Sequence, residues 1–455
     1  KIVKENVKMK NLKRALSLLL AGVMLTAAAG CGGEKGDTES RGDGKVYSTS
    51  ELLPEINAKG TKVTVLTHWS KDEVKNQEFN ANLKTQYGVD VEYITVDWND
   101  LGTRLTSMVL SNMAPDIYIG RYKDYPLIAT KNLVQPLDGI IDFSNPLFDY
   151  TKDSQSTVQS GGKSYAVTSP DRVGWIVWYN EKMFSEAGLD TPRELYWNNN
   201  WNWDTFLNAA KELTDSKNGV YGVGATGNYF TMTTGEHFLK YDSTTGKLEN
   251  NLRSPMISKV MNFWGDLAQK YKVLSPDTEG IQAFTQGKLA MLMDGDWLEE
   301  SQLLEQSKRN DVNFVPVPKC PDADKYYVQM DYDPLFSIPV GAKNTEGAKA
   351  YIMYQLFNRA ALVKKNENGE MAKKYDTNIQ RRVSVLGNDD EDLKMQASYT
   401  ELAPAHIVDN LPDFTSIVST MQDEVRSKGT SWETLVEKNY AALQAYVDEY
   451  NNGLS

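Results

Sequence analysis

KVTVLTHWS, residues 62–70, is the stretch from which the fold is read. Its first six residues are dominated by β-branched types and are too few for a helix, so they predict a short strand of the kind buried in a parallel sheet. Beyond it Phe79, Leu83 and Tyr87 recur at four-residue spacing and predict a helix. VDVEYITV (89–96) then reads as a second strand, Leu101, Leu105, Met108 and Val109 as the apolar side of a second helix, and DIYI (116–119) as a third strand. Strand, helix, strand, helix, strand is the order of an α/β layered sheet. Such sheets hold ligands beyond the carboxyl ends of their strands, near the point where strand order reverses. The residues just past those ends are therefore the first candidates: His68, Trp69 and Ser70, then Asp97 and Trp98, then Arg121 and Tyr122.

The same style continues downstream. WIVWYN (175–180), residues 221–225, LAMLMDG (289–295) and NFVPVP (313–318) read as strands. Trp203, Phe206, Leu207, Ala210 and Leu213 form one helix face started by Asn202 as a cap, and residues 256–271 form another helix. The chain closes in helix, with Thr430 and Glu433 read as a capping box and Leu435, Tyr440, Leu443 and Val447 on the apolar face. Of the tryptophans here, Trp203 is assigned to core and Trp178 to either face of its strand, while Trp197 and Trp201, in the Asn-rich WNNNW, are expected at the surface or beside a hinge.

Upstream of the strand the chemistry changes. Lys8, Lys10, Lys13 and Arg14 precede a mostly apolar run, 15–29, which is short for a membrane span and suits the core of a signal peptide. Met9 reads as the start, with residues 1–8 an upstream extension. Ala28, Ala29 and Gly30 before Cys31 resemble the lipobox of bacterial lipoproteins, with Ala28 standing where Leu is usual. The expectation is a signal peptide ending at residue 30 and a lipid on the Cys31 thiol, the alternative being an ordinary signal peptide and a chance cysteine. Residues 31–60 then read as a tether, its first part Gly, Ser, Thr and charge, which buries too little to order itself.

Without residues 1–30 the chain keeps 43 basic and 60 acidic residues, a net charge of about −17, which argues against nucleic acid as a partner. The remaining length exceeds one hydrophobic core and calls for two domains. Cys320, the other of two cysteines, has no disulfide partner once Cys31 is acylated. His68, His237 and His406 are far apart and show no metal-ligand spacing, and no cofactor is expected. The acidic NDDEDLK (388–394) reads as a solvated turn before a calcium site.

Taken together and in order, KSYAVTS (163–169), VWYNEKMFSEAGLDTP (177–192), WDTFLNAAKELT (203–214), YGVGATG (221–227), AFTQGKLAMLMDGDW (283–297), VPVPK (315–319) and FSIPVGAKNTEGAKAYI (336–352) resemble the extracellular solute-binding proteins of ABC importers, family 1, which includes the maltose-binding type. The resemblance implies a two-lobed, type II periplasmic-binding-protein-like α/β fold with a ligand cleft between the lobes, a monomer that delivers its solute to the permease subunits of an ABC transporter, and no catalysis. It puts 61–170 and 319–358 in lobe 1 and 171–318 and 359–455 in lobe 2, with crossings near 169–173, 317–320 and 357–362. A lipid tether on the outer face of the cell membrane fits a Gram-positive cell, which has no outer membrane to retain a loose receptor.

Members with maltose-like pockets bind sugars, and a pyranose asks for a flat ring under its C–H face and polar groups around its hydroxyl rim. By the resemblance Trp297 is the stacking ring with Asp296 beside it, and Asn228 and Tyr229 contribute from the second lobe. Strand-end logic adds His68, Trp69, Arg121 and Tyr122; the hinge crossings add Asp171, Arg172, Trp175, Asp331 and Tyr332. Arg121 and Arg172 have a second reading as rim residues paired with carboxylates. A polyamine or other non-sugar solute is the runner-up ligand, held by cation–π contacts in an acidic cleft. A secreted carbohydrate-active enzyme is the rival class, with Asp294 and Asp296 or Asp331 and Asp333 as acid and base, but neighbours on one segment are poorly placed to flank a scissile bond. Gly222, Gly224 and Gly227 spell G-x-G-x-x-G, and the sequence after them is a poor helix start for a dinucleotide site.

Overall fold

A computed structural model of the chain describes residues 38–40, 46–70, 77–121, 124–125, 127–151, 155, 158–168, 173–225, 227–276, 280–295, 312–331, 334–360, 395, 403–405 and 411–453. The chain divides into Lys1–Thr38 and a larger unit, Glu39–Ser455, which holds both principal sheets.

Its two principal sheets are built from β1 (Lys62–Thr67), β2 (Asp90–Thr95), β3 (Ile117–Gly120), β4 (Val167–Thr168), β5 (Val173–Asn180), β6 (Tyr221–Gly224), β7 (Leu289–Gly295), β8 (Val312–Val315), β9 (Tyr327–Asp331), β10 (Leu335–Ser337) and β11 (Ala403–Ala405). The first sheet has the order β2-β1-β3-β10-β4. β1 runs parallel to both β2 and β3, and β10 is antiparallel to β3 and β4. The chain leaves β1 to one side, returns past it and continues on the other, so strand order reverses beside β1. The helices Gln77–Tyr87 and Leu101–Leu110 make the crossovers.

Side-chain alternation along β1 divides the first core in two. Val63 and Val65 join Phe79, Leu83, Phe336 and Tyr351 on one face, and Leu66 joins Leu101, Leu105 and Tyr118 on the other. The second sheet has the order β6-β7-β5-β9-β11, with β8 also on β5. β6 and β7 are parallel, and β5 runs antiparallel to β7, β8 and β9. Its core joins residues from Ile176 through Tyr450, including Trp264 of the helix Pro255–Gln269 and Trp432 of the last helix, Trp432–Asn452. Each sheet thus has its own apolar interior, and the architecture is two-lobed α/β.

Several expectations are corrected here. Residues 327–331, expected in lobe 1 within the span 319–358, belong to the second sheet: Met330 and Asp331 pair with Gly174 and Val173, and Cys320 is buried in the second core. The return to the first sheet begins at Leu335, which pairs with Gly120. Trp201, expected at the surface or hinge, is fully buried and donates from Nε1 to the Pro316 carbonyl at 2.8 Å, while Trp197 stays 39% exposed. The last helix is capped one residue later than expected, by Ser431, whose hydroxyl accepts from Thr434 N–H, and Glu433 accepts from Asn262 instead. A short helix, Gly227–Thr231, does open after β6. The glycines before it serve packing: a Cβ on Gly222 would lie 2.2 Å from the Ala210 carbonyl oxygen. The tether expected over 31–60 does not extend that far: Leu52, Leu53 and Ala58 are buried in the first lobe's core, and Tyr87 OH donates to the Pro54 carbonyl. Cys31 and the 388–394 loop lie outside the described residues.

Two tyrosines connect the lobes away from the two principal sheets. Tyr241 donates to the Gln159 carbonyl at 2.6 Å. Tyr450 accepts from the Thr130 hydroxyl at 2.8 Å and donates to the Gly246 carbonyl at 3.1 Å.

Candidate functional site

The carboxyl ends of β1, β2 and β3 bring three side chains together. His68 follows β1 on the Leu66 face, Trp98 follows β2, and Arg121 follows β3. The His68 and Trp98 rings meet edge to face with centroids 4.5 Å apart. The Arg121 guanidinium lies 5.2 Å from the Trp98 ring centroid and donates to the Trp98 carbonyl. It also donates to both oxygens of Asp124, through Nε at 2.9 Å and Nη2 at 2.6 Å, and Tyr118 OH adds a bond to Asp124 at 2.8 Å. Arg121 is buried, so of its two readings the paired one holds. It braces the wall on which Trp98, 39% exposed, presents its ring. Trp69 points the other way along the strand and packs against the core that contains Phe79, so it is not part of this cluster.

The second lobe builds a matching group where the ends of β6 and β7 meet the start of β5. Gly295, the last residue of β7, is paired with Trp175 in β5. The Tyr229 ring, from the helix after β6, lies 4.2 Å from the Trp175 ring at an interplanar angle of 41°. Both rings are half-buried. Asn228 beside them accepts at Oδ1 from Gln422 Nε2 at 2.6 Å, and Gln422 reaches it from the helix Pro412–Lys428. At the end of β7 the Asp294 carboxyl accepts from Gly295 N–H at 2.7 Å, and burial pushes its pKa up to about 6.

Of the candidates drawn from the sequence, His68 and Arg121 are thus joined in one cluster through Trp98, and Trp175 and Tyr229 in the other, while Asn228, the residue before Tyr229, is bonded to Gln422. Asp331 ends β9, its main chain paired with Val173. Tyr122, Asp171, Arg172, Asp296, Trp297 and Tyr332 lie outside the described residues. Trp98 was visible by the strand-end rule that picked out His68. Gln422 gave no local signal, being one polar residue of an amphipathic helix far along the chain. No group of His, Cys, Asp and Glu able to hold a metal occurs among the described residues.

Two lobes, each with an α/β sheet whose strand ends carry partly open aromatic rings and polar groups, define a solute-binding protein built around a cleft. The family of bacterial extracellular solute-binding proteins matches residues 69–361, and the chain belongs to it. No curated protein matches the chain. Among solved structures it is similar to an ABC substrate-binding protein from Listeria monocytogenes in complex with cycloalternan, with 18% identity, TM-score 0.65 and coverage of 86% of this chain and 98% of that one. It is similar as well to a cyclic α-maltosyl-1,6-maltose binding protein from Arthrobacter globiformis, with 18% identity, TM-score 0.66 and coverage of 85% and 99%. A solute-binding protein from Thermotoga lettingae bound with α-D-tagatose gives 20% identity, TM-score 0.60 and coverage of 87% and 100%. At these identities the likeness is one of fold.

Proposed function

We propose that this protein captures a sugar or oligosaccharide outside the cell and delivers it to the permease of an ABC transporter. The observation that carries the reading is the pair of aromatic platforms, His68 with Trp98 at one set of strand ends and Trp175 with Tyr229 at the other. Half-open rings offer C–H faces a stacking surface, and a rim with the Asn228 amide and the Asp294 carboxyl suits hydroxyls. The cleft lies between these two groups in this reading, with Trp297 and Asp296 completing the second wall. The complexes formed by the similar structures, with cycloalternan and tagatose, support the same solute class.

Hinge rotation about the segments that cross between the lobes closes them on the solute, the second crossing falling before Leu335 rather than at 317–320. A diacylglyceryl group on Cys31 holds the receptor at the outer face of the membrane, and the protein acts as a monomer. No helix among the described residues is long and apolar enough to cross a membrane.

The test is a thermal-shift screen of maltose, maltotetraose, tagatose and mannitol with spermidine as the cationic control, followed by chromatography of the recovered sugar. A sugar that raises the unfolding temperature and is recovered intact supports the reading. A shift with spermidine alone, or conversion of the sugar, overturns it. For the anchor, Cys31→Ser should release the protein into the medium or leave it unprocessed, and unchanged membrane retention would refute lipidation.

A further inference from the structure

Asn228 precedes Tyr229 of the second-lobe cluster in the same short helix, and one end of its side chain is already committed. Its Oδ1 accepts from Gln422 Nε2 at 2.6 Å. A primary amide has one accepting end and one donating end, and spending the first inside the protein leaves the second for whatever approaches. The orientation of Gln422 is itself fixed. Its nitrogen also faces the Met261 thioether at 3.9 Å, a weak acceptor with no donor of its own, which favours the amide nitrogen on that side and so the Asn228 oxygen opposite it. Gln422 is buried between Met261 and the start of the helix Gly227–Thr231. That helix start lies close upon it: a Cβ on Gly227 would be 3.1 Å from Gln422 Cδ and 3.3 Å from Trp264 Nε1. A glycine there lets the amide of Gln422 lie this near the helix without displacement.

We propose that Gln422 is a positioning residue for solute capture, orienting the Asn228 side chain so that its NH2 group donates to an oxygen of the bound sugar. This rests on the sugar-binding reading above and deepens it by naming the polarity of one wall contact. The solute must offer an acceptor there, a hydroxyl or ring oxygen, and an amine presenting only N–H groups at that point is disfavoured.

The experiment compares Gln422→Glu, Gln422→Met, Asn228→Ala and the double variant Asn228→Ala with Gln422→Glu in the full chain. Maltotetraose affinity is measured by calorimetry, and the Asn228 side-chain amide is followed by nitrogen-edited NMR without ligand. Ionised glutamate accepts only, so at a pH where residue 422 is charged it should turn the Asn228 NH2 inward and its oxygen outward. The expected loss of affinity is about tenfold for Gln422→Glu and severalfold for Gln422→Met, and the double variant binds no more weakly than Asn228→Ala alone. Thermal midpoints close to that of the parent separate this from a general loss of structure. Affinity within twofold of the parent for Gln422→Glu, or losses that add in full, would overturn the proposal. If the parent binds none of the sugars, the sugar-binding reading falls. The Asn228 amide resonances then decide the positioning role, since signals unmoved by Gln422→Glu refute it.

Discussion

Arg121 and Asp124 form a buried fork, the guanidinium donating to one carboxylate oxygen at 2.9 Å and to the other at 2.6 Å, three residues apart on the turn that follows the third strand. The pair is enclosed by Tyr118 beneath and the Trp98 carbonyl beside it. Replacing Asp124 by Asn leaves a buried cation without its counter-charge, and breaking a pair of this kind costs about 3–5 kcal/mol. The first lobe of Asp124→Asn should unfold at markedly lower urea concentration, which far-UV circular dichroism would register. An unchanged midpoint would mean that the fork is solvated in solution.

Trp98 tests the platform without touching the core. Its ring is substantially exposed, and Trp98→Ala keeps the backbone carbonyl that Arg121 uses. The variant should fold with a near-parental melting temperature and bind its sugar about tenfold or more weakly, as truncation of a stacking ring does. Calorimetry with the sugar found in the screen supplies the check, and equal affinity would exclude this ring from the site.

Asp294 introduces a pH dependence whose sign is set by burial. With its pKa raised to about 6, the folded protein binds this proton more tightly than the unfolded chain. From about pH 4 to 6 the folded state holds the larger share of protons, so this group's contribution falls as pH rises through that window, by about 2–3 kcal/mol in total. Asp294→Asn removes that slope and should be more stable than the parent at pH 7. Urea unfolding of both proteins at half-unit intervals between pH 4 and 7 would reveal it; parallel curves would contradict it.

Trp197 and Trp201 lie close in sequence and should behave in opposite ways. Trp201 is fully enclosed, with its indole N–H bonded to Pro316 and its ring 5.8 Å from that of Phe206. Trp201→Ala should cost about 3–5 kcal/mol. Trp197→Ala should change stability by no more than about 0.5–1 kcal/mol, because its ring is largely at the surface. Comparable losses from the two would show that this segment is arranged differently.

These cases mark what could be read from the chain directly. The first sheet was legible because β-branched runs separated by four-residue apolar spacing identify both a strand and the residue just past its end; His68, Trp98 and Arg121 are found by that step alone. The orientation of Trp69 follows from alternation, which sets it on the opposite face from its neighbour His68. Trp201 was misread because three asparagines beside it argue for solvent, whereas the deciding partner, the Pro316 carbonyl, is supplied by a distant strand. Gln422 was illegible for the same reason: its meaning depends on Asn228, 194 positions away. The span of the first lobe was misjudged at 327–331 because a crossing strand reads alike on either side of a hinge, and only its ladder to Val173 and Gly174 assigns it.

The order in which the pieces arrive has a bearing on how a nascent chain behaves. The first sheet lacks its β10 strand until Leu335–Ser337 has been made, and the second interior stays open until Trp432, more than a hundred positions after Val315, can cover it. Neither half can lock while most of the polypeptide is still emerging, and contacts spanning such long stretches form slowly. A polypeptide that emerges from its front end therefore stays pliable until almost all of these strands and helices are out.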